Sequence, residues 1–343
     1  MKPIRLIAGF LTVGLWTLLS RVFGFIRDIL IAATLGAGPV AEVFLVAFAL
    51  PNMFRRFFAE GAFNSAFVPL FARRLEGEGE DAARHFAQEA LAALLLVLLA
   101  VTALAEMAMV PLMFLLAPGF SDDPQKFDLA VALTRICFPY LAFVSLLALI
   151  SGVLNALGRF AVAAFAPVLL NVVLIGALTL AIANGHGNSA TAGYWLAIGV
   201  FIGGAVQLAA VAYELRRAGF PLRLQRPRLS PGVRRLLTLS LPAVLAGGIT
   251  QINIVVGTII ASMAPGAVSY LYYADRIYQL PLGIVGIAIG VVLLPDLSRR
   301  LRAGEEASAS EQMNRALEFS MVLTLPAAFA LAVIAEPVVA GLF

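Results

Sequence analysis

The chain is poor in charge and almost without cysteine or histidine. Among 343 residues there is one cysteine, Cys137, and two histidines, His85 and His186. A single thiol in an apolar run excludes an intramolecular disulfide and any cysteine-built metal site. The histidines read as loop residues on opposite faces, so metal-assisted hydrolysis lacks the clustered ligands it needs. Charged residues make up 13% of the chain, against about a quarter in an ordinary soluble domain. A water-soluble protein of this length needs far more polar surface to cover its core. A soluble enzyme, a disordered chain and a nucleic-acid-binding module are therefore excluded. The P-loop pattern is also missing, so ATP is not expected to act directly.

What is abundant is apolar surface: 61% of residues are hydrophobic and the mean hydropathy is +0.95. A helix needs about 20 mostly apolar residues to cross a bilayer core of about 30 Å. Runs of that size lie near 6–35, 39–58, 88–117, 129–154, 160–183, 191–215, 236–263, 267–295 and 314–335. Their continuity excludes a strand barrel, whose segments alternate over about 10 residues. The N-terminal run has a basic tip like a signal peptide, but no small-residue cleavage site follows, so it reads as the first span. The expectation is an all-α polytopic membrane protein of about nine helices.

Basic residues sort by connection. The even-numbered connections carry Arg73, Arg74 and Arg84, then Arg159, then Arg216 to Arg235, then Arg299, Arg300, Arg302 and Arg315. Lys126 is the one basic residue in the odd-numbered connections. The positive-inside rule then places the N-terminus and the even loops in the cytoplasm. The same basic loops could also hold lipid headgroups. Asp122, Asp123 and Asp128 read as a solvated acidic outer loop.

A shift of about 230 residues superposes the chain weakly on itself. Arg5-Leu6 falls on Arg235-Leu236, Gly36 on Gly266, and Leu50-Pro51 on Leu280-Pro281. Six spans separate the copies, so the repeat is parallel, as in transporters whose substrate sits between repeats. Residues 1–217 form a first lobe of six helices. Residues 218–235 form a basic cytoplasmic linker able to carry a short surface helix, and 236–343 form an incomplete second lobe. A second lobe of equal length would run well past Phe343, so truncation at the C-terminus is expected.

Ionisable residues inside spans are costly and mark functional pathways by default. The first helix carries Ser20, Arg21, Gly24, Arg27 and Asp28; Arg21, Gly24 and Asp28 share one stripe, with Arg27 beside it. Gly24 leaves room for a close approach or a kink. The second helix holds Glu42, Pro51, Arg55, Arg56 and Glu60, and the eighth holds Asp275 and Arg276 before Pro281. Two readings stand side by side: interhelical salt bridges that fix packing, or a cavity for a polyanionic headgroup. Every cation in this set is arginine, whose planar fork binds phosphate in a bidentate way. Glu106 and Arg135 read as single, structural charges, and Pro111, Pro139, Pro167 and Pro242 as kinks.

The motifs S-R-V-F-G-F-I-R-D, P-N-M-F-R-R-F-F-A-E-G-A-F-N-S-A-F-V-P and Y-Y-A-D-R-I-Y-Q-L-P resemble the MurJ (MviN) family. A-P-G-F, F-P-Y and G-R-F-A-V-A-A-F-A-P-V-L-L-N are similar to it as well, so the likeness spans essentially the whole chain. The resemblance implies a lipid II flippase of the multidrug/oligosaccharidyl-lipid/polysaccharide exporter superfamily, with a MATE-like two-lobe bundle of six helices per lobe and two further helices for the lipid tail. It implies movement of the undecaprenyl-pyrophosphate-linked disaccharide-pentapeptide from the inner to the outer leaflet of the bacterial cytoplasmic membrane. Peptidoglycan synthesis depends on that step.

Residue by residue, it places headgroup-binding arginines at Arg21, Arg27, Arg55 and Arg276. Asp28, Glu42, Glu60, Asp275 and Ser20 become charge partners and gates, and Gly24, Pro51 and Pro281 hinges. Glu42 stands where the family commonly has Asp. In the Arg55-Arg56 pair the resemblance selects Arg55, whereas helical projection turns Arg56 towards Glu42. The expected partners are lipid II and membrane lipids, with other cell-wall synthesis proteins as further candidates. A monomer is expected, without cofactor, metal or nucleic acid. The rival readings are another exporter of the superfamily, such as a drug/cation antiporter, a membrane enzyme acting on lipid phosphates, and a scaffold for cell-wall synthesis.

Overall fold

The computed structural model describes residues 3–55, 62–279, 297, 300 and 303–342, with side chains omitted at 3–11, 54, 55, 62, 63 and 243–250. Helix α1 (Pro3–Leu35) has 33 residues and no interior proline. At 1.5 Å per residue it is about 50 Å long, more than a bilayer core requires. Gly36 ends it with φ 59°, a left-handed conformation that glycine adopts without steric penalty. Helix α2 (Pro39–Arg55) begins on a proline, which suits a helix start, and carries Pro51 in its body. Then come α3 (Ala62–Gly77), α4 (Glu80–Met107), α5 (Met109–Leu116), a 3-10 turn (Pro118–Asp122), α6 (Pro124–Cys137), α7 (Tyr140–Ala156), α8 (Ala161–Ala183), α9 (Ala190–Arg217) and α10 (Pro231–Ser262). Residues 267–279 are helical (α11), and α12 runs Glu306–Leu342. No strand occurs among the described residues.

The chain forms two compact units, Met1–Ser269 and Tyr270–Phe343. In the first, α9 packs against α8, α7 and α6, while α1 lies on α8 and α2 on α6. Glycines set this spacing. A Cβ on Gly203 would sit 2.6 Å from Leu170 Cδ1, and one on Gly204 2.7 Å from Tyr140 Cδ2. Small residues that let helices approach are the usual glue of membrane bundles, where the hydrophobic effect does not drive helices together. In the second unit α12 buries only Ala309, and Pro326, Pro337 and a non-helical Ile334 interrupt it.

Five helical segments among the described residues are long and apolar enough to cross a membrane: Glu80–Met107, Pro124–Ala156, Ala161–Ala183, Ala190–Arg217 and Glu306–Leu342. Their outer faces carry exposed Leu96, Leu99, Leu104, Phe201, Ile202, Leu325 and Phe329, a density of apolar surface that suits lipid rather than water.

Several details differ from the sequence expectations. Residues 62–77, assigned to a loop, form α3, which buries Phe67 and Phe71. The third apolar run breaks at Ala108, because Pro111 lacks the N–H that would bond Met107. The fourth divides into α6 and α7 at Phe138-Pro139, where both residues keep helical backbone angles, φ −61° and −58°, within the one span Pro124–Ala156. The seventh helix starts five residues earlier than hydropathy placed it, at Pro231 after the Ser230 N-cap. Residues 220–230 carry no helix. His85 lies within α4, not in a loop, and approaches Glu89 to 3.4 Å. Asp128 lies within α6, and Asp123 caps that helix by accepting from the N–H groups of Gln125 and Lys126. All three aspartates are exposed, as a solvated acidic stretch requires; Asp123 has the capping role in addition, and an Asp-Pro step at a helix start is the signal for it. Glu106 and Arg135 are not single: they face each other at 4.0 Å.

Candidate functional site

Arg27 and Asp28 sit about 10–12 Å before the C-terminal end of α1 at the helical rise. Both are buried, at 8% and 1% exposure. Adjacent residues on a helix do not normally face one another, yet here the guanidinium folds back on its neighbour. Arg27 Nε and Nη2 donate to Asp28 Oδ1 at 2.9 and 2.7 Å. Nη1 donates to Asn171 Oδ1 on α8 at 2.8 Å. Asn171 Nδ2 in turn donates to the backbone carbonyl of Ser20 at 3.0 Å. The Phe48 ring of α2 lies 6.0 Å from the guanidinium carbon, at the edge of cation–π range. One buried cluster thus ties α1 to α8 beside α2.

Gly24 faces this cluster, and a Cβ there would lie 3.5 Å from Asn171 Nδ2, an ordinary van der Waals distance, so the space at this point does not itself require glycine. The expected stripe is divided: Asp28 is buried, whereas Arg21 is exposed and makes no ion pair with a described residue. A helical projection gives an angle about the axis but not what lies on that side.

Glu42 is 1% exposed near the other end of α2. Its Oε2 accepts from Lys126 Nζ at 2.6 Å, and its Oε1 accepts from the Val268 N–H, in the first turn of α11, at 3.2 Å. Lys126 stands in the first turn of α6, where the Asp123 cap and Pro124 start the helix. It also lies 4.0 Å from the Phe120 ring centroid. Lys126 and Asn171 are partners that sequence reasoning missed, as is Gln279, which bonds both Arg276 and Asp275. Lys126 was visible as the one basic residue in the odd-numbered connections, and Asn171 as the amide closing a quoted motif.

In the second unit, Arg276 Nη2 donates to the Tyr272 hydroxyl at 3.2 Å, and its guanidinium carbon lies 4.6 Å from that ring's centroid. Nη1 donates to Gln279 Oε1 at 3.4 Å, and Gln279 also donates to Asp275. Pro51 is buried inside α2. Arg55 is the last residue of α2, with its side chain outside the described atoms; Arg56, Glu60 and Pro281 lie outside the described residues.

Chemically, one edge of the Arg27 fork is directed at Asp28. That is the kind of edge a phosphate oxyanion would take in a bidentate contact. Binding an anion at Arg27 therefore means an exchange of partners.

A family model described as "Lipid II flippase MurJ" matches residues 31–343. A probable lipid II flippase MurJ of Rhizobium meliloti (strain 1021) is 54% identical over 340 residues, covering 98% of this chain and 63% of that protein. The lipid II flippase MurJ of Burkholderia cenocepacia is 39% identical, covering 99% of this chain and 66% of its own length. The chain thus spans somewhat less than two thirds of these relatives. Among solved structures, a lipid II flippase MurJ in an inward closed conformation aligns with TM-score 0.78 and 25% identity, over 95% of this chain and 66% of that one. An inward-facing multidrug MATE transporter of the MOP superfamily shares the fold, with TM-score 0.66 and 16% identity over 92% of this chain. By this match over most of its length, the chain belongs to the lipid II flippase MurJ family.

Proposed function

We propose that this protein flips lipid II, the undecaprenyl-pyrophosphate-linked peptidoglycan precursor, from the inner to the outer leaflet of the bacterial cytoplasmic membrane by alternating access. The observation that carries the reading is the buried Arg27–Asp28–Asn171 cluster within an apolar helical bundle. An intramembrane arginine held by an exchangeable carboxylate suits the capture and release of a pyrophosphate. The printed names of the relatives support the same substrate.

In this reading the protein is a transporter, not an enzyme, and acts as a monomer. Nine spans begin with a cytoplasmic N-terminus, and residues 1–217 form the first lobe. A basic linker, 218–235, leads to the second lobe. Arg21, Arg27, Arg55 and Arg276 receive the headgroup while the lipid tail stays in the bilayer. Asp28, Glu42, Glu60 and Asp275 exchange partners as the lobes rock, with Ser20 alongside and Gly24, Pro51 and Pro281 as hinges. Two features support the repeat: Gly36 and Gly266, 230 residues apart in the register, both take positive φ, 59° and 78°, at helix–helix turns. Membrane potential is a sufficient driver, since one charge moved through 100 mV is worth about 2.3 kcal/mol.

The test is rescue of a flippase-depleted strain, scoring lipid II exposed in the outer leaflet. Wild type should restore exposure, and Arg27→Ala or Arg276→Ala should abolish it while still inserting at normal levels. Normal flipping by both variants would sink the proposal. An arginine-centred cluster disfavours the drug/cation antiporter, which calls for an acidic or apolar cavity.

A further inference from the structure

Away from the residues assigned to translocation, a cleft opens where the end of α3 meets the starts of α4 and α10. It is lined by Arg73, Arg74 and Glu78 of the α3 end, Phe86 of α4, and Gly232 and Arg235 of α10. Arg74 is held in place: its guanidinium carbon lies 4.3 Å from the Phe86 ring centroid. A Cβ on residue 232 would lie 2.7 Å from Arg74 Nη2, so glycine at that position is what admits the side chain. Stacking on an aromatic face fixes the guanidinium plane and leaves its N–H edges to bind.

Elsewhere in the chain arginines find carboxylates, as in Arg84–Asp81, Arg159–Glu214 and Arg315–Glu311. Among the described residues no carboxylate lies within 4.0 Å of Arg73, Arg74 or Arg235, although Glu78 lines the same cleft. Three converging cations against one anion leave a local excess of positive charge that an incoming anion would relieve. Guanidinium forks favour phosphate oxygens.

The cleft's surroundings indicate where such a phosphate comes from. On α10, Leu237, Leu239 and Leu241 are all exposed, beginning about 3 Å and reaching about 9 Å along the axis from Arg235. Exposed leucines that close to a basic cleft match the boundary between acyl chains and headgroups. We propose that this cleft binds a phosphate oxyanion, presented by an anionic phospholipid headgroup at the membrane surface.

The experiment titrates the purified protein in detergent with dioleoylphosphatidylglycerol, with dioleoylphosphatidylcholine and with inorganic phosphate, following the thermal unfolding midpoint. Phosphatidylglycerol should raise the midpoint saturably. Arg73→Gln/Arg235→Gln, both exposed and unpacked, should weaken the apparent affinity about tenfold, the scale of losing hydrogen bonds to a charged group. The charge-matched control Arg226→Gln/Arg228→Gln, in the segment before α10, should leave it unchanged. Glu78→Gln should tighten binding severalfold, a gain that misfolding cannot imitate. A saturable rise with inorganic phosphate alone, lost in Arg73→Gln/Arg235→Gln, keeps the oxyanion site and makes its source soluble phosphate. Equal losses in the two double variants, no loss in either, or an equal response to phosphatidylcholine would overturn the proposal.

Discussion

Glu42 and Lys126 form an ion pair of 2.6 Å between α2 and α6, with both side chains largely buried. The Val268 N–H shares the same carboxylate, so one buried acid holds three separate segments. Removing Lys126 leaves a buried carboxylate without its cation, a loss on the order of 3–5 kcal/mol. Lys126→Met should therefore unfold at a clearly lower temperature in detergent. Glu42→Gln/Lys126→Met should recover part of the loss, because no uncompensated charge remains. Additive losses in the double variant would show that the pair is not coupled.

Asp28 bears the same relation to Arg27, but deeper in the bundle. Asp28→Ala strands a buried guanidinium and should cost about 3–5 kcal/mol, read as a loss of folded protein on heating. Arg27→Met/Asp28→Leu should fold better than Asp28→Ala alone, yet fail to rescue a flippase-depleted strain. That separation of stability from transport is the measurement of interest.

Asn171 acts through Arg27 and Ser20. Asn171→Leu removes the acceptor for Nη1 and the donor to the Ser20 carbonyl, each a bond to a group with few alternatives in this setting. Lipid II exposure in the rescue assay should fall roughly tenfold, the scale of a hydrogen bond to a charged group. Asn171→Asp, which keeps an acceptor for Arg27, should retain more transport than Asn171→Leu. Equal activity in the two variants would remove Arg27 positioning as the role of Asn171.

Gly119 lies where the 3-10 turn meets the end of α10. Its N–H donates to Ser262 Oγ at 3.2 Å, and a Cβ there would lie 2.2 Å from the Ser262 carbonyl oxygen. Backbone cannot yield as a side-chain tip can, so Gly119→Ala should destabilise by about 1–3 kcal/mol. The glycine of A-P-G-F is accounted for by this approach of two backbones. A Gly79→Ala variant tests the other constraint: its φ is 89° with nothing within 4 Å of a Cβ, so its cost is conformational rather than steric.

Composition and local chemistry alone settled the class of molecule. Long apolar runs with 13% charge admit few states other than a helical membrane protein, because backbone polar groups in lipid must be satisfied within the segment. The ends of elements were legible at the glycine turns, Gly36 and Gly266, whereas the helix starts at Asp123-Pro124 and Ser230-Pro231 read as loop and linker until the structure placed them. The intramembrane charges could be listed, and Arg27, Asp28 and Glu42 are indeed buried.

Their partners could not be read. Arg27 meets Asn171 across 144 positions and Glu42 meets Lys126 across 84. Periodicity says which way a side chain leaves its helix, not which helix stands there. The same limit turned residues 62–77 into an apparent loop, since α3 earns its place through Phe67 and Phe71 against neighbours far along the chain. Sequence by itself determined that charges lie inside an apolar bundle, because their cost is local and chemical. Only the tertiary structure decided which of them pair, because pairing depends on the packing of helices distant in sequence.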